Sequence, residues 1–168
     1  MDILKTATEW AKAEIFSSSF FILFGILFLA ASIGFWQLGK TEIAKAYIFP
    51  TLIAGTLLLI IGIGLIYANK VRLNEFTAAH NNNAQAFIES EIVRTNNTLK
   101  EYKTIVFKAI PLIIIVAAFV IIFINTPLWR AISITTIAML IVILLIDGTA
   151  HSRIEIYKEK LMQAEYQE

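Results

Sequence analysis

The residues best suited to chemistry are a few charged side chains set against long apolar runs. Asp147 ends the run "ILLID" at 143–147, and the charged, helix-forming segment "GTAHSRIEIYKEKL" follows directly. Lys108 stands one turn inside another apolar run. A charge in such a run is costly unless it is paired or functional. Asp147 is thus either an anchor at the boundary of the run, which the sequence favours, or a working carboxylate. It can pair with Lys108, although that lysine can also extend to the lipid head groups.

Hydroxyl groups accompany Asp147 along the same run. Ser133 and Thr136 fall near one stripe of a helix that ends at Asp147. Asp147 also shares the seven-residue phase of Ile154 and Leu161. Because hydroxyls and end-of-pore charges line ion channels, this stripe suggests an ion pathway along the last apolar helix.

The motifs of familiar enzymes do not occur. The sequence has no cysteine, no HExxH zinc motif and no phosphate-binding glycine loop. His80 and His151 lack the spacing of metal ligands, so neither a metal nor another cofactor is expected. A non-enzymatic protein is predicted. A membrane enzyme that acts on lipid through the two histidines remains an alternative.

Composition defines the class of protein. The 168 residues are 58% hydrophobic and 16% charged, with a mean hydropathy of +0.72. Runs of about twenty apolar residues indicate transmembrane helices. The predicted fold is an all-α integral membrane protein with a single domain of four spans, at about 15–36, 47–68, 105–124 and 128–147. The net charge of +1 gives no reason to expect nucleic acid as a partner.

Lysine and arginine placement predicts the orientation. With both termini in the cytoplasm, eleven of the fourteen cations lie on that side, and only Lys40, Lys45 and Arg130 lie outside. The predicted location is a bacterial inner membrane. Residues 1–14 place Ile3, Trp10 and their neighbours on one helical face. They form either an amphipathic helix in the membrane interface, with Trp10 at head-group depth, or an extension of the first span.

The second, third and fourth spans are expected to extend into the cytoplasm as helical stems, at about 69–104 and 148–165. The sequence "HNNN" at 80–83 predicts a break between two helices, and one helix is expected from about 83 to 125. Apolar residues alternate at spacings of four and three, which is a heptad pattern. These stripe residues are Ile88, Ile92, Thr95, Leu99, Tyr102 and Val106 in one stem, and Ile154, Tyr157 and Leu161 in another. The stripes should pack together or against a neighbouring subunit.

Small residues recur every seven positions in the first two spans. They are Ser18, Gly25 and Ser32 in the first span, and Gly55 and Gly62 in the second. Such spacing allows close helix packing in lipid. The contact is expected within one chain, with a subunit–subunit contact as the alternative.

The favoured function is a scaffold or accessory subunit that binds partners through the cytoplasmic stems. The alternatives are an oligomeric ion channel lined by the fourth span and the lipid-acting enzyme. Membrane lipids, and either further copies of the chain or a membrane partner protein, are the expected partners.

Overall fold

The computed structural model describes residues 2–166, and every regular element within them is helical. In chain order these are α1 (Ile3–Leu38), α2 (Glu42–Ala46), α3 (Ile48–Asn82), α4 (Ala84–Glu101), a π-helical segment (Tyr102–Ala109), α5 (Ile110–Phe123) and α6 (Pro127–Glu165). Consecutive elements join into four continuous helical segments, which we call rods: Ile3–Leu38, Glu42–Asn82, Ala84–Phe123 and Pro127–Glu165. Each rod is long and apolar enough to cross a membrane. The prediction of an all-helical chain with four such helices is confirmed.

Local side chains determine where the rods begin and end. Gly39 ends α1, and the Thr41 hydroxyl accepts the N–H of Ala44 at 3.2 Å at the start of α2. Asn83 ends α3 and caps α4, because its side-chain oxygen accepts the N–H of Ala86 at 3.0 Å. The break predicted at "HNNN" therefore lies at the tip of a helical hairpin. Pro127 opens α6, where its missing N–H costs nothing.

The rod from Ala84 to Phe123 is continuous, but its middle is π-helical. The N–H of Ile110 donates to the carbonyl oxygen of Ile105, five residues earlier. Pro111 follows at once, and a proline ring in an α-helix clashes with the carbonyl four residues before it, here that of Phe107. The wider π-helix relieves this clash. The helix expected from 83 to 125 is thus present, but it is π-helical instead of α-helical where the third span was predicted to begin.

The apolar half of the bundle is built around a close pair of helices and a central one. α1 packs along α3, and α6 packs on both of them. Gly25 and Gly55 face each other so closely that a Cβ on Gly55 would lie 2.8 Å from the Gly25 carbonyl oxygen. Ser32 adds a hydrogen bond from its hydroxyl to the Ile48 carbonyl oxygen at 2.8 Å. α5 lies outside this group: within residues 2–166 it packs on α6 and on the adjoining π-helical segment.

The other half is a second core, which we call the stem bundle: residues 3–14, 69–82, α4 and 148–165. Its apolar stripes bury one another within one chain. The buried members are Ile3, Ala7, Trp10, Ala11, Phe76, Phe87, Ile88, Leu99, Ile154, Tyr157, Leu161 and Ala164. Thr95 is fully buried, and Ile92 and Tyr102 are partly buried beside this core.

Residues 3–14 belong to the stem bundle as the first turns of α1. Of the two alternatives for this segment, the extension of the first span is the one observed. Trp10 is 8% exposed and packs inside the stem bundle, so its ring contacts protein side chains. The apolar face of the segment is buried against protein because α4 and α6 present their own stripes to it.

Candidate functional site

A buried carboxylate lies at the centre of the stem bundle. Glu91 is 6% exposed and accepts two hydrogen bonds from the Arg94 guanidinium, from Nη2 at 2.6 Å and from Nε at 2.8 Å. The Tyr157 hydroxyl donates to the same carboxylate at 2.8 Å. Both oxygens of Glu91 are thereby used, as burial of a charge requires. Helices α4 and α6 are joined through this one side chain.

Aromatic rings complete the arrangement, which we call the Glu91 cluster (Trp10, Glu91, Arg94 and Tyr157). The Arg94 guanidinium lies 4.4 Å from the centre of the Trp10 ring, a cation–π distance. Trp10 in turn stacks on Tyr157. Three helices, α1, α4 and α6, thus meet through four side chains that bind one another. The chemistry of the cluster is structural: each polar group except the Trp10 indole nitrogen has a partner within it.

The electrostatics of the stem bundle follow from burial. Burial raises the pKa of Tyr157 above its usual range, and the negative charge of Glu91 raises it further. Burial also lowers the pKa of the nearby Arg72, with the positive charge of Arg94 as the next cause. Arg72 donates to Asn69 at 2.9 Å, and Asn69 is itself buried. The interior of the stem bundle therefore favours neutral tyrosine and closely paired charges.

Asp147 lies where the apolar half meets the stem bundle. α6 runs through it without a break, and the side chain is partly buried. Within residues 2–166 it forms no ion pair, and Lys108 is exposed on the other rod. The Lys108–Asp147 pair, the less favoured alternative for Lys108, is not among the ion pairs of these residues. The nearby cation Arg153 is already bound to Glu14 of α1, at 2.9 Å.

A cavity of about 300 Å³ opens beside Asp147. α1, α3, α6 and the π-helical segment with the end of α4 all contribute to its wall. Its lining is Phe21, Ile61, Leu65, Thr98, Glu101, Tyr102, Ile105, Val106, Ile143 and Asp147. The polar members lie on the stem side and the apolar ones on the other side. Asp147, a residue singled out for chemistry, thus borders an open space of ligand size.

The two hydroxyl residues of the predicted ion pathway lie elsewhere. Ser133 is buried inside the chain, and Thr136 is partly buried and borders a separate groove between α3 and α6. Thr135, between them in sequence, is also buried. Thr136 and Asp147 thus border two different cavities, and Ser133 borders neither of them.

The two histidines are not brought together. His80 lies near the tip of the α3–α4 hairpin, edge-on to Phe87, whereas His151 lies beside the boundary between Tyr102 and Phe107. Residues 2–166 contain no group of three potential metal ligands. His151 instead lies 3.5 Å from Glu155, one turn along α6.

Sequence reasoning missed Glu91 and the partners that bury it. A signal was present: Glu91 and Arg94 are three residues apart beside the apolar stripe, and a tyrosine occupies a stripe position in the opposite stem. Comparisons of the chain with protein-family models, with curated proteins and with solved structures found no match. Function is therefore argued from the geometry alone.

Proposed function

We propose that the chain is a non-enzymatic integral membrane protein that acts as a scaffold or accessory subunit, with the stem bundle as the body that a partner binds. The observation that carries this proposal is the Glu91 cluster. It joins α1, α4 and α6 by hydrogen bonds and stacking at a buried point. A body held rigid in this way loses little conformational entropy when a partner binds.

The exposure of apolar side chains supports placement of the apolar half in a membrane. Only 17–33% of the most apolar window of each long helix is buried inside the chain. Large side chains such as Phe16, Ile60 and Phe123 are mostly exposed. Water would make this exposure very unfavourable, whereas lipid tails accept it. The distribution of lysine and arginine supports a cytoplasmic stem bundle with both termini on the same side.

The stem surface, not the apolar stripes, is then the contact area for a partner. The stripes are already used within the chain. Val93 on α4 and Ile156 on α6 remain 59% and 55% exposed, each surrounded by polar residues. Isolated apolar side chains within a polar rim are the usual composition of a non-obligate interface.

Photo-cross-linking in cells tests the proposal. A photoreactive amino acid at Val93 or Ile156 should give a discrete protein adduct. An adduct of two chains, twice 18.9 kDa, identifies a homo-oligomer, and any other mass identifies a different partner. The same substitution at Ile60, which faces away from the stem bundle, is the control and should give lipid adducts. A correctly folded protein that gives protein adducts from neither stem position contradicts the scaffold function.

Topology is tested separately. A cytoplasmic reporter fused after residue 168, or inserted at residues 80–83, should be active, and one inserted at residues 39–45 should be inactive. The opposite pattern would overturn the cytoplasmic assignment of the stem bundle and leave the partner to be sought outside.

Neither alternative function gains support. α6 is the central helix and contacts α1, α3, α4 and α5 within one chain. Ser133 is buried within one chain. The lipid-acting enzyme requires His80 and His151 in one site. About fifteen residues of α3 separate His80 from the level of Leu65 at the boundary, which is about 22 Å of helix.

A further inference from the structure

The cavity beside Asp147 has two chemically different ends. The rods that form it run in opposite directions, so residue order gives the depth of each wall. On α6, Ile143 lies one turn deeper in the apolar half than Asp147. On the facing rod, Ile105 and Val106 lie one turn deeper than Glu101 and Tyr102. Hydrocarbon therefore lines the deep end, and carboxylates and a phenol line the end at the boundary.

The charged side chains that line the boundary end of the cavity are negative. Asp147 and Glu101 are the charged residues of the wall, and no lysine or arginine contributes to the lining. The Glu14 carboxylate on α1 adds another negative charge and forms an ion pair with Arg153. Within residues 2–166 the Asp147 carboxylate has neither an ion pair nor a side-chain hydrogen bond. A partly buried carboxylate without a partner is unfavourable, and a cation that enters the cavity removes that cost.

One wall of the cavity is the π-helical segment. Tyr102, Ile105 and Val106 line the cavity from it. A π-helix is rare and is frequently found at functional sites. Here the wider π-helical turns lie where the polar boundary end of the cavity meets its apolar deep end.

We propose that this cavity binds one membrane phospholipid whose head group carries a protonated primary amine. The ammonium group lies at Asp147 and Glu101, and part of one acyl chain lies against Ile61, Ile105 and Ile143. The volume of about 300 Å³ is at the lower end for ligand sites, which suits a head-group amine and a section of chain, with the rest of the lipid in the bilayer. The head-group layer of the bilayer adjoins the boundary end of the cavity, so such a lipid can present its amine there. The assignment does not depend on the scaffold function.

The test measures lipid retention by native mass spectrometry. The full chain is reconstituted in bilayer discs that contain phosphatidylethanolamine and phosphatidylglycerol in equal amounts, and it is then released into detergent. The wild type should retain one phosphatidylethanolamine in preference to phosphatidylglycerol. A parallel disc contains N-acetylated phosphatidylethanolamine, which has the same chains but no cationic amine, and this lipid should not be retained selectively.

Two variants separate the ends of the site. Asp147→Asn removes the charge and should lower phosphatidylethanolamine retention roughly tenfold or more, the usual worth of a hydrogen bond to a charged group. Ile143→Trp fills the deep end and should lower retention while Asp147 stays intact. Glu159→Gln alters an exposed carboxylate on α6 away from the cavity and should retain lipid as the wild type does.

Three results overturn the proposal. They are equal retention of the two phospholipids by the wild type, equal retention of the acetylated lipid, and full retention by folded Asp147→Asn. Circular dichroism of each variant checks folding. If Asp147→Asn does not fold, the acetylated lipid and Ile143→Trp decide the outcome, since neither alters the carboxylate.

Discussion

The indole ring of Trp10 lies parallel to the phenol ring of Tyr157, with 5.0 Å between the ring centres and 9° between the planes. The two residues come from the first turns of α1 and the last turns of α6. Their contact closes the stem bundle, because it joins the two ends of the chain beside the hairpin of α3 and α4. Both rings also face the Arg94 guanidinium, at 4.4 and 6.0 Å from the ring centres.

Trp10→Ala should destabilise the protein by about 3 kcal/mol. The change removes a large buried side chain, its stacking on Tyr157 and its cation–π contact with Arg94. The measurement is the free energy of unfolding by chemical denaturation in detergent. Trp36→Ala is the matched control, because Trp36 is 72% exposed. Similar losses from both variants would show that Trp10 is not part of a packed core.

Glu91 and Tyr157 should be energetically coupled. Glu91→Gln removes the charge that Arg94 and Tyr157 both contact, and it should cost about 2 kcal/mol. Tyr157→Phe removes one hydrogen bond, at about 1 kcal/mol. A double-mutant cycle on the free energy of unfolding should give a coupling of about 1 kcal/mol. Glu89→Gln, at an exposed position of the same helix, should be silent. Strict additivity would argue against a shared hydrogen bond.

Tyr157 should stay neutral at pH values at which an unfolded tyrosine ionises. Its pKa is raised, first by burial and then by the charge of Glu91. An unfolded tyrosine has a pKa of about 10. Because the folded pKa is higher, the contribution of Tyr157 to stability is fully present below that pH and is lost as the pH rises through the folded value. Alkaline titration of tyrosinate absorbance, wild type against Tyr157→Phe, measures this. A Tyr157 component that titrates at the usual pKa contradicts the burial.

Gly55→Ala should weaken the packing of α1 on α3 by roughly 2 kcal/mol. The added methyl group would lie 2.8 Å from the Gly25 carbonyl oxygen, so the helix backbones must separate. Gly64→Ala on the same helix meets nothing within 4 Å and should be neutral or slightly stabilising. Thermal unfolding of the two variants in detergent compares them. If the order of stability is reversed, close approach at Gly55 is not what holds the pair.

Local sequence patterns were sufficient to predict the rods. The polar residues buried in the stem bundle could not be predicted, because their partners are distant in sequence. The positions of Leu99, Ile154 and Leu161 follow from a spacing that any single helix displays. Burial of Glu91 does not, since it depends on Arg94, Tyr157 and Trp10 meeting from three helices. The same limit applies to Lys108, which lies in the π-helical segment, where the angle per residue differs from that of an α-helix. Asp147 was expected at the boundary of the last span, facing protein. The cavity beside it could not be predicted, because four rods contribute to its wall.

α6 is a single helix of 39 residues, about 58 Å long. It carries Asp147 at its middle, Ser133 in the apolar half and Tyr157 in the stem bundle. Because the helix is continuous, a tilt imposed at one end also moves the other end. Bilayer thickness changes the tilt of long apolar helices. In the proposed membrane placement, a bilayer that changes the tilt of α6 therefore also moves Ile156 and the stem surface around it.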